Sequence, residues 1–215
     1  MNFRAAIFDM DGVLINSEPL WEKAETQLLK SKGVTYDPLF RDRVIGLSQR
    51  ELSELIIGEF GLDCSVSQLI DERMEFLFRI YDKELEMFDG AKSVIESVRK
   101  SGMKTAIAST SPMNVIEYVL EKFSLSGLFD AVVSGDCVEK GKPSPDIYLL
   151  AAEGIGVAPA DCAAIEDSPR GVRAAISAGM FCIAIPDKRL KEDEFGISNA
   201  VCADIREAGE MIVSV

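Results

Sequence analysis

The sequence predicts an open α/β fold built on a parallel sheet and interrupted once by an all-helical insert. Three observations carry this reading. Short apolar runs recur with the near-continuous character of strands buried on both faces. From the second run onward, each pair of runs is separated by a helical pattern. The first pair, by contrast, is separated by about 95 residues, where a crossover needs only about a dozen.

The first run is Ala5–Phe8. The long gap after it holds three amphipathic patterns, roughly 17–31, 48–59 and 66–82, with no strand between them. We therefore expect a helical module at 17–86, with hinges near Ile15–Ser17 and Asp82–Asp89, and a discontinuous core formed by 1–16 and 87–215. A helix over 90–100, apolar at Ala91, Val94, Ile95 and Val98, resumes the crossover and leads to the second run, Thr105–Ala108. Val115, Ile116, Val119, Leu120 and Phe123 mark the next helix, before the third run at Ala131–Val133. Ile147, Tyr148, Leu150 and Ala151 mark the helix before the fourth run, Ala163–Ile165. Val172, Ala175 and Ile176, stopped by Gly179, precede the fifth run, Phe181–Ile185. Three of these helices open on Ser-Pro, at 111–112, 144–145 and 168–169, which predicts a capping hydroxyl followed by a proline in the first turn.

Composition narrows the chemistry. With 215 residues, 47% hydrophobic and 27% charged, the chain can fill one core domain and a smaller companion. A net charge of −13, with no basic stripe, argues against nucleic acid as a partner. No apolar run approaches the ~20 residues of a membrane helix, and the N-terminus reads as a buried strand rather than a signal peptide. The five cysteines, at 64, 137, 162, 182 and 202, are odd in number and lack C-x-x-C spacing, so free thiols in a reducing, cytoplasmic setting are expected. There is no histidine. Imidazole bases, Ser-His-Asp triads and histidine-ligated zinc or haem are excluded, which leaves acid–base work to carboxylates, lysine, cysteine or tyrosine. Any hard metal must then be held by oxygen.

In open α/β sheets, ligands bind beyond the carboxyl ends of the strands. The first run delivers Asp9 and, two positions on, Asp11; on an extended chain these face the same way. The second delivers Ser109 and Thr110 at a helix start, and the fourth delivers Glu166 and Asp167 at another. Lys142 lies in the loop before the third crossover helix. Packed carboxylates repel unless a cation sits among them, and with oxygen donors alone Mg²⁺ is the natural one. Ser109 and the amides beside it make an anion site, and Lys142 can neutralise a further phosphate oxygen. Such a set of groups points to phosphoryl transfer, in which the protein positions and stabilises charge.

Asp9-Met10-Asp11-Gly12-Val13-Leu14, Ser109-Thr110-Ser111, Gly141-Lys142-Pro143-Ser144-Pro145-Asp146, and Glu166-Asp167-Ser168 with Gly171 resemble the four ordered motifs of the haloacid dehalogenase superfamily. The resemblance covers essentially the whole chain and implies a Rossmann-like core with a helical cap. Asn16-Ser17-Glu18-Pro19-Leu20-Trp21 and Gly46-Leu47-Ser48-Gln49-Arg50-Glu51 are similar to the branch that holds β-phosphoglucomutase and sugar-phosphate phosphatases. It implies that Asp9 attacks phosphorus and forms an aspartyl-phosphate, and that Asp11 acts as acid and then base. It further implies that Ser109, the Thr110 amide and Lys142 hold the phosphoryl group. Mg²⁺ would be bound by Asp9, the Asp11 backbone carbonyl and Asp167, with Glu166 assisting directly or through water.

Each assignment has a plainer rival. Ser109 could simply cap its helix, although Ser111 suits that task better. Arg50 is either a cap residue that binds the distal end of the substrate or an exposed helical arginine, and Trp21 suits packing better than substrate contact. A receiver-like signalling domain shares the acidic pocket, but its phosphoacceptor follows a middle strand. Dehalogenases and phosphonatases lack an acid at the position of Asp11. The mutase branch carries a histidine early in the first cap helix, and this chain has none. The expectation is a Mg²⁺-dependent phosphatase of small phosphorylated metabolites, most simply a monomer, with the mutase as the alternative.

Overall fold

The computed structural model describes residues 3–35, 49–187 and 192–214. The chain divides into two compact units, Met1–Ile15 with Met87–Val215, and Asn16–Glu86. The Gly46-Leu47-Ser48 portion of the second cap signature lies outside the described residues.

The smaller unit is helical throughout its described secondary structure: α1 (Glu18–Ser31), α2 (Gln49–Phe60) and α3 (Val66–Glu84). Both α1 and α2 pack on α3. The apolar positions read from the sequence close into a core of Leu28, Leu29, Leu52, Ile56 and Leu69. Each buried leucine removes enough apolar surface from water to contribute roughly 1.5–3 kcal/mol. A capping box starts α3: the Ser65 hydroxyl accepts from the Gln68 amide while the Gln68 side chain accepts from the Ser65 amide.

The larger unit is a six-stranded sheet of order β3-β2-β1-β4-β5-β6, parallel at every pairing. Its strands are β1 (Ala5–Phe8), β2 (Lys104–Ser109), β3 (Ala131–Ser134), β4 (Cys162–Glu166), β5 (Phe181–Ala184) and β6 (Ala200–Val201). Its helices among the described residues are α4 (Ala91–Lys100), α5 (Met113–Lys122), α6 (Asp146–Ile155), α7 (Pro169–Ser177) and α8 (Ile205–Val213). Every residue of β1 and β4 is buried, as continuous apolar runs require when helices cover both faces. The two-residue edge strand β6 is a sixth strand beyond the five runs seen in the sequence. It falls in the short apolar stretch Ala200-Val201-Cys202-Ala203, and Val201 in it is exposed.

The three Ser-Pro steps do not behave alike. Ser168 caps α7 as expected, accepting from the Gly171 amide, with Pro169 in the first turn. At the other two steps the proline itself takes the cap position, and neither α5 nor α6 has a side-chain cap. Ser111 is thereby released from the capping task, and its hydroxyl turns to Asp11 instead.

Candidate active site

β1 lies between β2 and β4, where the strand order reverses, so the crevice expected of an open α/β sheet opens beyond its carboxyl end. Phe8 pairs with Ile165, and the Asp9 amide donates to the Ile165 carbonyl at 3.0 Å. Asp9 and Glu166 therefore leave neighbouring strands at the same level. After Asp9 the chain folds back: the amides of Leu14 and Ile15 both donate to the Met10 carbonyl, and the Gly12 amide donates to the Ile15 carbonyl. Gly12 holds φ at +83°, and a Cβ there would fall 1.9 Å from an Asp167 carboxylate oxygen. The turn thus needs glycine both for its backbone conformation and for the approach of Asp167.

Lys142 binds the strand ends together. Its buried Nζ donates to Asp9 Oδ1 at 2.5 Å, to Glu166 Oε1 at 2.6 Å and to the Ala108 carbonyl at 2.9 Å, which uses all three ammonium protons. Glu166 is fully buried and equally engaged. Its Oε1 also accepts from the Tyr148 hydroxyl at 2.7 Å, while Oε2 accepts from the amides of Asp167 and Ser168 and from the Ser168 hydroxyl. Asp11 Oδ2 accepts from the hydroxyls of Ser111 at 2.7 Å and Ser109 at 3.2 Å, and Ser109 Oγ accepts from the Ser111 amide.

Burial pushes the Asp9 carboxyl upward most strongly; Lys142 opposes this, Glu166 and Asp11 add to it, and the net direction is well above the usual carboxylate range. Burial alone would lower Lys142, but the Asp9 and Glu166 carboxylates outweigh it and hold the ammonium above its ordinary value. Burial, reinforced by Glu166 and Asp9, likewise keeps the Tyr148 hydroxyl protonated well past its usual range. Asp9, Glu166 and Asp167 each bring a carboxylate oxygen within 4.8 Å of the others, a buried, all-oxygen set able to hold a metal ion. A hard divalent cation fits these donors and would relieve their mutual repulsion.

The fold therefore brings together Asp9, Asp11, Ser109, Lys142, Glu166 and Asp167, with Thr110 exposed at the same strand end. Arg50 belongs to the helical unit, where its side chain is 78% exposed and pairs with Glu54 one turn on. In that same unit Arg73, unremarked in the sequence, is buried. It bonds Glu25 and Gln49 and lies 4.5 Å over the Trp21 ring, so Trp21 packs as expected. Two residues of the site escaped the sequence reading. In the sequence Ser111 reads as a cap and Tyr148 as an apolar helix position. The usable signal for Tyr148 was that a tyrosine on a buried helix face needs a partner for its hydroxyl.

The chain matches the family model for haloacid dehalogenase-like hydrolases over residues 6–185. It is 34% identical over 176 residues to a phosphorylated carbohydrates phosphatase of Thermotoga maritima, with 82% of each chain covered. Hexitol phosphatase B of Escherichia coli K12 is 33% identical over 193 residues, covering 88% of this chain and 86% of that one. The crystal structure of β-phosphoglucomutase from Clostridium difficile matches with a TM-score of 0.82 at 25% identity, over 99% of this chain and 97% of that one. The parallel sheet with its helical insertion, the carboxylates at the strand ends and these matches lead to one conclusion: the chain belongs to the haloacid dehalogenase-like hydrolase family.

Proposed function

We propose that this protein is a Mg²⁺-dependent phosphatase that hydrolyses small phosphorylated sugars or sugar alcohols through an aspartyl-phosphate on Asp9. The observation that carries the reading is the pairing of two carboxylates with different surroundings. Asp9 is buried against Lys142, while Asp11 is partly exposed and held by two hydroxyls. Such a division suits one group to attack and the other to move protons.

An oxygen of Asp9 attacks phosphorus as Asp11 gives its proton to the departing alcohol oxygen. Asp11, now a carboxylate, takes a proton from water. That water attacks the phosphorus, releases inorganic phosphate and restores Asp9. Ser109 and the Thr110 amide orient the phosphoryl oxygens, while Lys142, its protons engaged by Asp9, Glu166 and the Ala108 carbonyl, contributes its positive charge beside them. Asp9, Asp167 and the Asp11 backbone carbonyl would hold Mg²⁺, which supplies charge neutralisation for the anionic substrate. Glu166, with both carboxylate oxygens already accepting hydrogen bonds, serves the cation indirectly and Lys142 directly. The helical unit acts as a cap domain, with Arg50 as its candidate contact to the far end of the substrate. Five free thiols, three of them buried, suit a reducing cytoplasm, and no helix among the described residues is long and apolar enough to cross a membrane.

The match to a β-phosphoglucomutase keeps a second reading in view, and one assay separates the two. Phosphorylated hexoses and hexitols, including β-glucose 1-phosphate with a trace of glucose 1,6-bisphosphate, are incubated with the enzyme and Mg²⁺ while phosphate and glucose 6-phosphate are followed together. Release of phosphate without accumulation of glucose 6-phosphate is expected, because no histidine is available to restrain Asp11 between half-reactions. Faster accumulation of glucose 6-phosphate would establish the mutase, and phosphate release from none of the substrates would overturn the phosphatase.

A further inference from the structure

We infer that Tyr148 is a positioning residue of the phosphoryl-transfer site: its hydroxyl holds Glu166 so that Glu166 holds Lys142 against Asp9. The inference rests on the phosphatase reading for its effect on turnover, but not for the contact itself.

Lys142 has a flexible four-carbon stem, so its position is only as good as that of its acceptors. One of these, the Ala108 carbonyl, belongs to β2 and is fixed by the sheet. The other two are side chains, and Asp9 is the group to be positioned. Glu166 must therefore be located by something else. Its Oε2 is turned toward the opening of α7, where the three contacts from Asp167 and Ser168 are long, at 3.2–3.4 Å. Its Oε1, the oxygen that meets Lys142, has one other hydrogen bond, from Tyr148 at 2.7 Å.

Tyr148 is well suited to act as the reference point. It is fully buried on α6 as part of the main hydrophobic core, and a tyrosine has only two side-chain torsions to fix. Its ring centroid lies 5.1 Å from Lys142 Nζ, so the same side chain also meets the ammonium. Gly171 completes the arrangement, since a Cβ there would fall 1.9 Å from the Glu166 carboxylate. The part of Tyr148 in catalysis runs through Glu166 and Lys142.

The plainer role for Tyr148 is to fill the core and satisfy its own hydroxyl. Tyr148→Phe separates the two, because it keeps the ring and removes only the hydrogen bond. The positioning role predicts that kcat with the best phosphomonoester falls by about 10–100-fold, the usual cost of losing an outer-shell partner, with KM little changed. In a Glu166→Gln background the same change should alter kcat by less than about twofold, since its route of action is already broken. Two readouts need no turnover. With lysine labelled at Nζ, the Lys142 ammonium resonance should be slow to exchange in the wild type and should shift or broaden in Tyr148→Phe. With ring-labelled tyrosine, the wild-type protein alone should show a slowly exchanging Tyr148 hydroxyl proton close to the Lys142 signal, whether or not the variant folds. An unchanged kcat together with an unchanged ammonium resonance would overturn the inference, as would a rapidly exchanging hydroxyl in the wild type. If the wild type releases no phosphate from any substrate, the phosphatase reading falls, and the ammonium and hydroxyl resonances still decide the contact.

Discussion

Asp9 and Lys142 are 2.5 Å apart in a buried site, and removing Lys142 would leave both Asp9 and Glu166 as buried carboxylates without their shared cation. Asp9→Asn removes the proposed nucleophile, and we expect phosphate release to fall by at least about 10⁴-fold, as when the nucleophile of a catalytic unit is lost. Phosphoenzyme trapping with mass mapping gives the independent check, and label on any residue other than Asp9 would sink the assignment. At Gly171 the test concerns space rather than charge. Alanine inside a helix ordinarily gains about 1 kcal/mol over glycine. Here the new methyl would overlap the Glu166 carboxylate, and overpacking of this kind costs roughly 1–3 kcal/mol. Gly171→Ala should therefore lower both the melting temperature and kcat, and a rise in melting temperature would show that Glu166 is free to move aside.

Strands place the reacting groups, so their anchoring is a functional matter at the scale of the element. Asp130, just before β3, ties β3 to β2 and to α4. It accepts from the Thr105 amide at 2.9 Å, from Lys104, and from Arg99, whose Nη1 also reaches the Thr105 hydroxyl and the Leu128 carbonyl. Burial pulls its carboxyl upward, but the amide, Lys104 and Arg99 outweigh this and hold it below the usual range. A carboxylate with a depressed folded-state value adds stability above its unfolded value near 4 and loses it as pH falls through the folded value. The group is partly exposed, so the contribution is discounted for solvent screening to about 1 kcal/mol. Asp130→Asn should melt roughly 2–4 °C below the wild type at pH 7. The gap should narrow once the pH drops below about 4. A gap that stays constant down to pH 3 would mean that the ionised carboxylate is not what ties these elements.

For the whole molecule, charge sets the terms. At −13 overall, and with Asp9, Asp11, Glu166 and Asp167 gathered at one end of the sheet, the protein meets an anionic substrate with an unfavourable field that Lys142 only partly offsets. A divalent cation is the simplest remedy. Phosphate release should vanish in excess chelator and return on adding Mg²⁺. Ca²⁺, larger and demanding more ligands, should occupy the site yet support turnover poorly. Full activity in chelator would remove the metal from the mechanism.

The sequence alone dictates the parallel α/β core and the helical insertion, because buried strands and amphipathic helices write their periods directly into the order of apolar residues. It also places Asp9, Asp11, Ser109, Glu166 and Asp167 at strand ends, since the residues that follow an apolar run in such a sheet must emerge on the ligand-binding side, and it places Lys142 in the loop before α6. What it could not determine were relationships between side chains distant in the chain. Ser111 reads as a helix cap until the fold brings Asp11, a hundred residues earlier, to its hydroxyl. Tyr148 reads as one more apolar position on α6 until Glu166 arrives on a neighbouring strand. The two-residue β6 is too short for its apolar residues to show a period. Periodicity reports whether a residue is buried, whereas the partner of a buried polar group is chosen by tertiary packing, which decided how Glu166 is used.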